Sequence, residues 1–207
     1  MNEPTLDAAA VAGVSAGLEA VAAEAVERAS RAGADEAEAC VQSSRSFSVE
    51  VNGGKIETLK QSATRGLGLR VIVGGAVGFV SSNDLGSERI EDLARRAVAL
   101  ARLSTPDPAN ALPAPDEAGE ADGPDLGLLD PALLELSAEA KIEMAVELER
   151  VALAHDPRIR RTDGAHVKSG AGATAIANSH GLVRSSDRKS TRLNSSHSSP
   201  SRMPSSA

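Results

Sequence analysis

Two glycine-rich turns, each lying between segments of alternating polar and apolar residues, constrain the fold of this chain most strongly. The first turn is Asn52-Gly53-Gly54 and the second is Gly74-Gly75. Their residues readily adopt the positive φ angles of tight β-hairpins. Because so short a connection joins only antiparallel strands, the sequence predicts consecutive hairpins and not β-α-β units.

The segments beside these turns alternate with a period of two residues, as strands with one buried face do. Returning strands are predicted at 55–61 and 76–81, and further short strands at 165–168, at 173–178 and from Leu182 onward. The residues expected on the buried face before the turns are Ala37, Ala39, Val41, Phe47, Val49, Val51, Leu67, Leu69, Val71 and Val73.

Three segments carry apolar residues at helical spacing. The first helix is predicted over 14–32, with Gly33 ending it through a positive φ angle. A second helix follows a polar loop, with Asp84 or Ser87 as its N-terminal cap. The third is predicted over 138–155 and is capped by the serine that precedes it. Its expected buried residues are Ile142, Ala145, Val146, Ala152 and Leu153.

This order of elements predicts an α+β fold, a mostly antiparallel sheet with helices packed on one face. We divide the chain into a flexible N-terminus (1–13), an N-terminal α+β domain (14–104), an acidic proline-rich connector (105–136), a helix and strands that begin a central region (137–186), and a non-native tail (187–207). The connector holds six of the ten prolines, a density that no helix or strand tolerates.

The last 21 residues, Asp187–Ala207, are expected to be non-native. They read DRKSTRLNSSHSSPSRMPSSA, which is rich in serine and has too few apolar residues to bury a face. The stretch DRKSTRLNSSH resembles the in-frame translation of a common short-read library adapter, and Ser201–Ala207 resembles the adapter's next constant stretch. We therefore leave this tail out of the fold prediction and expect the natural continuation after Ser186 to be missing.

Charge and composition exclude several classes of function. The formal net charge is −7, and without the tail it would be −10, from 18 basic and 28 acidic residues. Such an acidic surface disfavours direct contact with a nucleic-acid backbone. Phe47 and Phe79 are the only aromatic residues, which argues against base stacking. Neither a signal peptide nor a membrane-spanning segment is visible, so we expect a cytoplasmic protein without membrane contact.

The residues that could carry chemistry form no recognisable active site. The glycine-rich stretch 66–78 has no nucleotide-binding register, and the single cysteine, Cys40, lies in a strand pattern where a small buried thiol is usual. Asn178-Ser179-His180-Gly181 reads either as a tight turn or as a place where the histidine lines a substrate groove. His155, His166 and His180 lack a second ligand at helical spacing. We assign no catalytic, cofactor-binding or metal residue.

Several blocks resemble, in order and spacing, the N-terminal part of the TldD/PmbA family, whose members have also been called modulators of DNA gyrase. The blocks for the family are RGLGLRV at 65–71 and GFVSSNDL at 78–85, followed by the helix exit at 97–108. PDLGL at 124–128, the Asp163-Gly164 pair and the stretch Asn178–Gly181 are more similar to the PmbA branch, also called TldE, than to the TldD branch.

The resemblance implies a zinc metallopeptidase complex for peptide proteolysis, in which a TldD-like subunit carries the metal on an HExxxH motif. We expect this chain to be a fragment of the PmbA-like subunit of a heterodimer, acting as scaffold and partner interface without a metal site or cofactor of its own. Zinc is expected in the TldD-like partner. The alternatives are a non-catalytic regulatory module that binds through an exposed strand edge, and the front half of a TldD-like catalytic subunit.

Overall fold

The computed structural model describes residues 8–114, 117 and 136–197, with side chains described within 15–114, at 117 and within 136–186. The helices are α1 (Ala8–Arg31), α2 (Ser87–Ala101) and α3 (Ala138–His155). The strands are β1 (Glu36–Asn52), β2 (Lys55–Val73), β3 (Ala76–Ser82), β4 (Thr162–Asn178) and β5 (Val183–His197).

The five strands form one sheet in the order β3-β2-β1-β4-β5, and each neighbouring pair is antiparallel. The predicted fold class, α+β with helices on one face of an antiparallel sheet, is confirmed. The central strand, β1, pairs with β2 before the acidic connector and with β4 after it. The two segments 14–104 and 137–186 therefore contribute to the same sheet, and their division into domains remains a prediction.

The helices cover one face of the sheet because alternate side chains of β1 are apolar. Ala37, Ala39 and Val41 pack in a cluster with residues of α1 and α2. Phe47, Val49 and their neighbours pack in a second cluster with α3. These residues have the same parity along β1, so all three helices lie on one face, which we call the helix-bearing face. The opposite face is called the open face.

Both predicted turns form as expected. Gly53 and Gly54 have φ angles of 61° and 72°, and Gly74 and Gly75 have 56° and 79°. Two strands are longer than predicted: β2 joins the predicted strand at 55–61 to the alternating residues from Leu67, and β4 joins the predicted strands at 165–168 and 173–178. Backbone hydrogen bonds on both sides of β1 hold its middle, Ser43–Ser46, in the sheet although these side chains bury little.

The helix boundaries correct two predictions. Helix α1 begins at Ala8, before the predicted start at residue 14, because alanine has a high helix propensity even without an amphipathic pattern. Gly33 ends this helix with a φ angle of 98°, as predicted. The N-cap position of helix α2 is Gly86, which has no side chain to cap the helix, and not Asp84 or Ser87. The Asp84 carboxylate instead accepts a hydrogen bond from the Gly86 amide, just before the helix.

Helix α3 is capped as predicted, with the Ser137 hydroxyl accepting from the Ala140 amide at 3.1 Å. Its buried side is narrower than expected, because only Ala145 and Glu149 are fully buried. Val146, predicted to be buried, is 37% exposed. The helix packs over β1, β4 and β5, and among the described residues no helix covers β2 along this half of the sheet.

Strand β5 continues past Ser186 as far as His197 and pairs with β4. Any residue other than proline can offer the amide and carbonyl that such pairing needs, so the pairing carries no information about the origin of residues 187–197. The adapter origin of this tail remains a prediction. The final ten residues and most of the acidic connector lie outside the described residues.

Candidate functional site

The most distinctive polar cluster of the sequence forms a turn between β4 and β5. The Asn178 side chain is buried, and its Oδ1 accepts from the amides of His180 at 3.0 Å and Leu182 at 3.1 Å. Its Nδ2 donates to the Pro113 carbonyl at 2.9 Å. Asn178 thus shapes the turn and also fixes the chain at the start of the acidic connector.

Ser179 joins this turn to the start of β1. Its amide donates to the Ala37 carbonyl at 2.8 Å, and its Oγ accepts from the Ala37 amide at 3.1 Å. Gly181 completes the turn with a φ angle of 88°, a conformation that favours glycine. The geometry of the turn therefore explains why Asn178, Ser179 and Gly181 stand at these positions, without a bound ligand.

The side chain of His180 takes no part in the hydrogen bonds that shape this turn. Its Nε2 lies 3.6 Å from Oε2 of Glu36, and the same carboxylate oxygen accepts from the Leu112 amide at 2.8 Å. The histidine lies at the surface, with 35% of its side chain exposed. Within the described residues no nucleophile or further metal ligand joins the pair, so the arrangement holds the turn against the connector and has no evident catalytic use.

A second carboxylate cluster, which the sequence analysis missed, lies at the other end of the sheet. Glu149 is only 3% exposed, and its Oε1 accepts from the Gly53 amide at 2.9 Å and the Thr162 hydroxyl at 2.7 Å. Its Oε2 accepts from the Gly54 amide at 2.7 Å. The sequence signal that could have identified this cluster is a charged residue, Glu149, four positions after Ala145 and therefore on the buried side of the helix.

The electrostatics of Glu149 follow from these bonds. Burial by itself raises the pKa of a carboxyl group, but the hydrogen bonds from Thr162, Gly54 and Gly53 outweigh burial and hold the pKa of Glu149 below its ordinary value. The carboxylate is therefore ionised at neutral pH and bonded through both oxygens. It is a structural clamp between α3 and the β1–β2 turn, and it has little capacity left for a substrate.

The remaining candidates lie apart from one another. His166 on β4 lies 3.6 Å from Glu50 of β1 on the open face, and His155 is exposed at the end of α3. Cys40 is half-buried on the open face, so the prediction of a buried strand thiol is wrong. Its odd-numbered neighbours face the helices, whereas its own side chain points away from them.

The Cys40 thiol is not activated. Burial raises its pKa, the hydrogen bond from Gln42 opposes that effect, and the nearby Glu38 charge adds to it. A thiol whose pKa is raised is protonated at neutral pH and is a poor nucleophile. In the part of the chain that the structure describes, no three His, Cys, Asp or Glu side chains lie close enough to hold a metal ion.

Most of the resemblance blocks lie on β2, on β3 and its connection to α2, on the end of α2, on β4 and on the Asn178–Gly181 turn, whereas PDLGL at 124–128 lies outside the described residues. Residues 37–101 match the family model described as PmbA/TldA metallopeptidase domain 1, and residues 131–197 match the PmbA/TldA metallopeptidase central domain. The chain belongs to the PmbA/TldD family. Among its relatives, Metalloprotease PmbA from Escherichia coli O157:H7 is 34% identical over 150 residues, 72% of this chain.

Other relatives extend this result. A Metalloprotease PmbA homolog from Haemophilus influenzae is 33% identical over 78% of the chain. A protein from Bacteroides thetaiotaomicron, described as a modulator of DNA gyrase, superposes with a TM-score of 0.72 at 28% identity over 84% of the chain. TldE from Thermococcus kodakarensis shares the fold, with a TM-score of 0.73 at 19% identity over 88% of the chain.

The PmbA/TldD relatives are longer than this chain. It spans 33% and 35% of the two curated relatives and 39% and 40% of the two solved structures. None of the described helices has an apolar stretch of the length needed to cross a bilayer.

Proposed function

We propose that this chain is the front part of a PmbA/TldE-like subunit of a zinc metallopeptidase complex that degrades peptides in the cytoplasm. It acts as scaffold and partner interface, and the zinc and the cleavage chemistry belong to a TldD-like partner subunit. The observation that carries the proposal is the match of both domain models in order, together with a relative at 34% identity that is named PmbA.

The polar clusters support a scaffold role. In the two buried ones, around Asn178 and Glu149, the polar side-chain atoms are bonded to the chain itself. The described residues do not fit a zinc ion, because none of their His, Cys, Asp and Glu groups converge in threes, whereas zinc sites use three or four such ligands. No catalytic step is therefore assigned to them.

The clusters around Asn178 and Glu149 make the sheet and its turns rigid. Glu149 ties α3 to the β1–β2 turn, and Asn178 ties the β4–β5 turn to Pro113. Each of these two residues thereby ties a turn of the sheet to a segment that lies far from it along the chain. A surface that is fixed in this way can present a partner subunit with a preformed interface, which reduces the entropic cost of association.

The test is co-expression of the complete reading frame with a TldD-like chain from the same genome. We expect the two chains to co-purify, and we expect peptide cleavage that stops when a chelator removes the metal and resumes with added zinc. This fragment by itself should not cleave peptides. Zinc-dependent cleavage by residues 1–186 alone, or an HExxxH motif in the natural continuation, would instead assign the catalytic role to this chain.

The same experiment separates the regulatory alternative. A stable complex with an unrelated protein, with no peptidase activity in any fraction, would favour a non-catalytic binding module. The Escherichia coli and Haemophilus influenzae relatives described above are both named metalloproteases, and this observation favours the peptidase complex.

A further inference from the structure

Strand β2 is paired along both sides over only part of its length. Strand β1 pairs with it from Lys55 to Ile72, whereas β3 pairs only with Leu67–Val73. Among the described residues, nothing pairs with the outer side of residues 55–66, which we call the free edge. At about 3.3 Å per residue the free edge is about 40 Å long. Unpaired edges of this length are usually shortened or covered in natural proteins.

The free edge exposes apolar surface next to a buried cluster. Ile56 is 49% exposed and Leu59 is 44% exposed. Their partners in register, Val51 and Val49, are fully buried beneath α3 on the helix-bearing face. The apolar cluster thus continues onto β2 where α3 no longer covers it, so a strand added at this edge would bury both side chains.

The free edge is also basic, in contrast with the acidic chain as a whole. Lys55, Lys60 and Arg65 are exposed and make no ion pair with the described residues. The single acid on the edge, Glu57, accepts a hydrogen bond from Asn52. The arginines in α1, α2 and α3 behave differently, since each of them pairs with a carboxylate. Free cations at an unpaired edge complement an acidic ligand.

A second copy of this chain is a poorer match for the free edge than an acidic ligand. The edge carries three cations, Lys55, Lys60 and Arg65, and one acid, Glu57, so two copies would bring two net-positive edges together, and a pairing centred on Lys60 would place Lys60 opposite Lys60. Like charges directly opposite one another destabilise a strand pair. The net positive charge of the edge therefore disfavours self-association and favours a ligand of the opposite sign.

We propose that the free edge of β2 binds an extended acidic segment of another polypeptide, which adds to the sheet as a sixth strand. The backbone of residues 55–66 supplies the ladder hydrogen bonds. In register, an aliphatic residue of the partner lies beside Leu59 on the helix-bearing face, and a carboxylate lies beside Lys60 on the open face. This docking edge goes beyond the proposed function, which assigns no role to β2, and either can fail without the other.

The experiment titrates the complete chain into a fluorescent ten-residue peptide of alternating valine and glutamate and follows the anisotropy. Binding that weakens as salt is raised is expected. The substitution Lys60→Glu should weaken binding by about fivefold or more, since an attraction becomes a repulsion. The matched control is Arg184→Glu, which makes the same change of charge at an exposed position on β5 and should leave binding unchanged.

A second peptide tests the strand geometry. The same sequence with alternate backbone amides N-methylated keeps its charge but cannot complete a ladder, so it should not bind. Equal binding of both peptides would show attraction by charge alone and overturn the proposal. So would equal effects of Lys60→Glu and Arg184→Glu, or no binding of the first peptide at millimolar protein. Circular dichroism of each variant verifies that the fold is retained.

Discussion

The two halves of this sheet share the same central strand but are stabilised differently. Where β1 carries Ala37, Ala39 and Val41, two helices cover the sheet and the strands on either side are buried beneath them. Where β1 carries Phe47 and Val49, a single helix covers β1 and β4, and β2 is left exposed. We call these the two-helix half and the one-helix half. The alternation along β1 is the same in both, so the difference comes from what packs against it.

The comparison indicates that the two halves of the sheet are stabilised by different interactions and have different roles. The two-helix half depends on close apolar packing, in which small residues allow the helices to approach the strands. The one-helix half depends on hydrogen bonds to one buried carboxylate and on a helix cap, and it leaves a basic, partly apolar edge free for contact. The following substitutions test this division, from the largest expected effect to the smallest.

Gly78→Ala should be the most damaging change, because it lies where β3 touches α2 in the two-helix half. A Cβ at this position would lie 2.1 Å from the Ala97 carbonyl oxygen, a distance that forces the helix away from the sheet. We expect a loss of about 3 kcal/mol or more in the free energy of unfolding. The control is Gly170→Ala in β4, where the nearest atom to a new Cβ is 3.7 Å away. Urea denaturation of both variants measures the difference.

Leu69→Ala and Leu59→Ala make the same change on the same strand, one in each half. Leu69 is fully buried and Leu59 is 44% exposed. We expect about 3 kcal/mol of destabilisation for Leu69→Ala, from lost transfer energy and the cavity left behind, and less than about 1 kcal/mol for Leu59→Ala. Similar losses in the two variants would mean that the one-helix half is packed as tightly as the other.

Glu149→Gln should cost about 2 kcal/mol, because an amide cannot accept the three hydrogen bonds that the carboxylate accepts. The loss should depend on pH. The folded pKa of Glu149 lies below its ordinary value, so its contribution is fully present above the unfolded pKa of about 4.3 and is lost as the pH falls through the folded pKa. Thermal unfolding from pH 7 to pH 3 should show the gap between wild type and variant closing. A gap that stays constant would contradict the clamp.

Ser137→Ala should have the smallest effect, a loss of about 1 kcal/mol from the cap of α3. The matched control is Ser48→Ala, since Ser48 makes no side-chain hydrogen bond to the described residues. If the unfolding free energies of the two variants agree within error, the start of α3 does not contribute to the stability of the one-helix half.

Much of the fold follows from local patterns. The turns at Gly53-Gly54 and Gly74-Gly75 form as predicted, because the glycines permit positive φ angles that few other residues adopt. The cap at Ser137 was also predicted correctly, since its partner amide lies only three residues away. Each of these features depends on neighbours within a few positions along the chain, and such neighbours are visible in the sequence.

The features that were missed depend on residues far apart in the chain. Glu149 reads as an ordinary surface acid until the hairpin turn, nearly a hundred residues earlier, is placed beside it. The side to which Cys40 points follows from which face of β1 the helices cover. The middle of β1 looks like a loop because its polar side chains are exposed, although neighbouring strands pair with it on both sides.

The sequence by itself determined the α+β class, the two hairpins and the relation to the PmbA/TldD family, because alternation, turn glycines and the order of the blocks are properties of short stretches. Only the tertiary structure decided that β4 returns to pair with β1 across the acidic connector, and that a single helix covers one half of the sheet. The pairing of distant strands depends on which apolar faces can be buried together, and a linear pattern does not specify that choice. Among the residues that the structure describes, one edge of β2 stays unpaired, with its lysines and exposed aliphatic side chains.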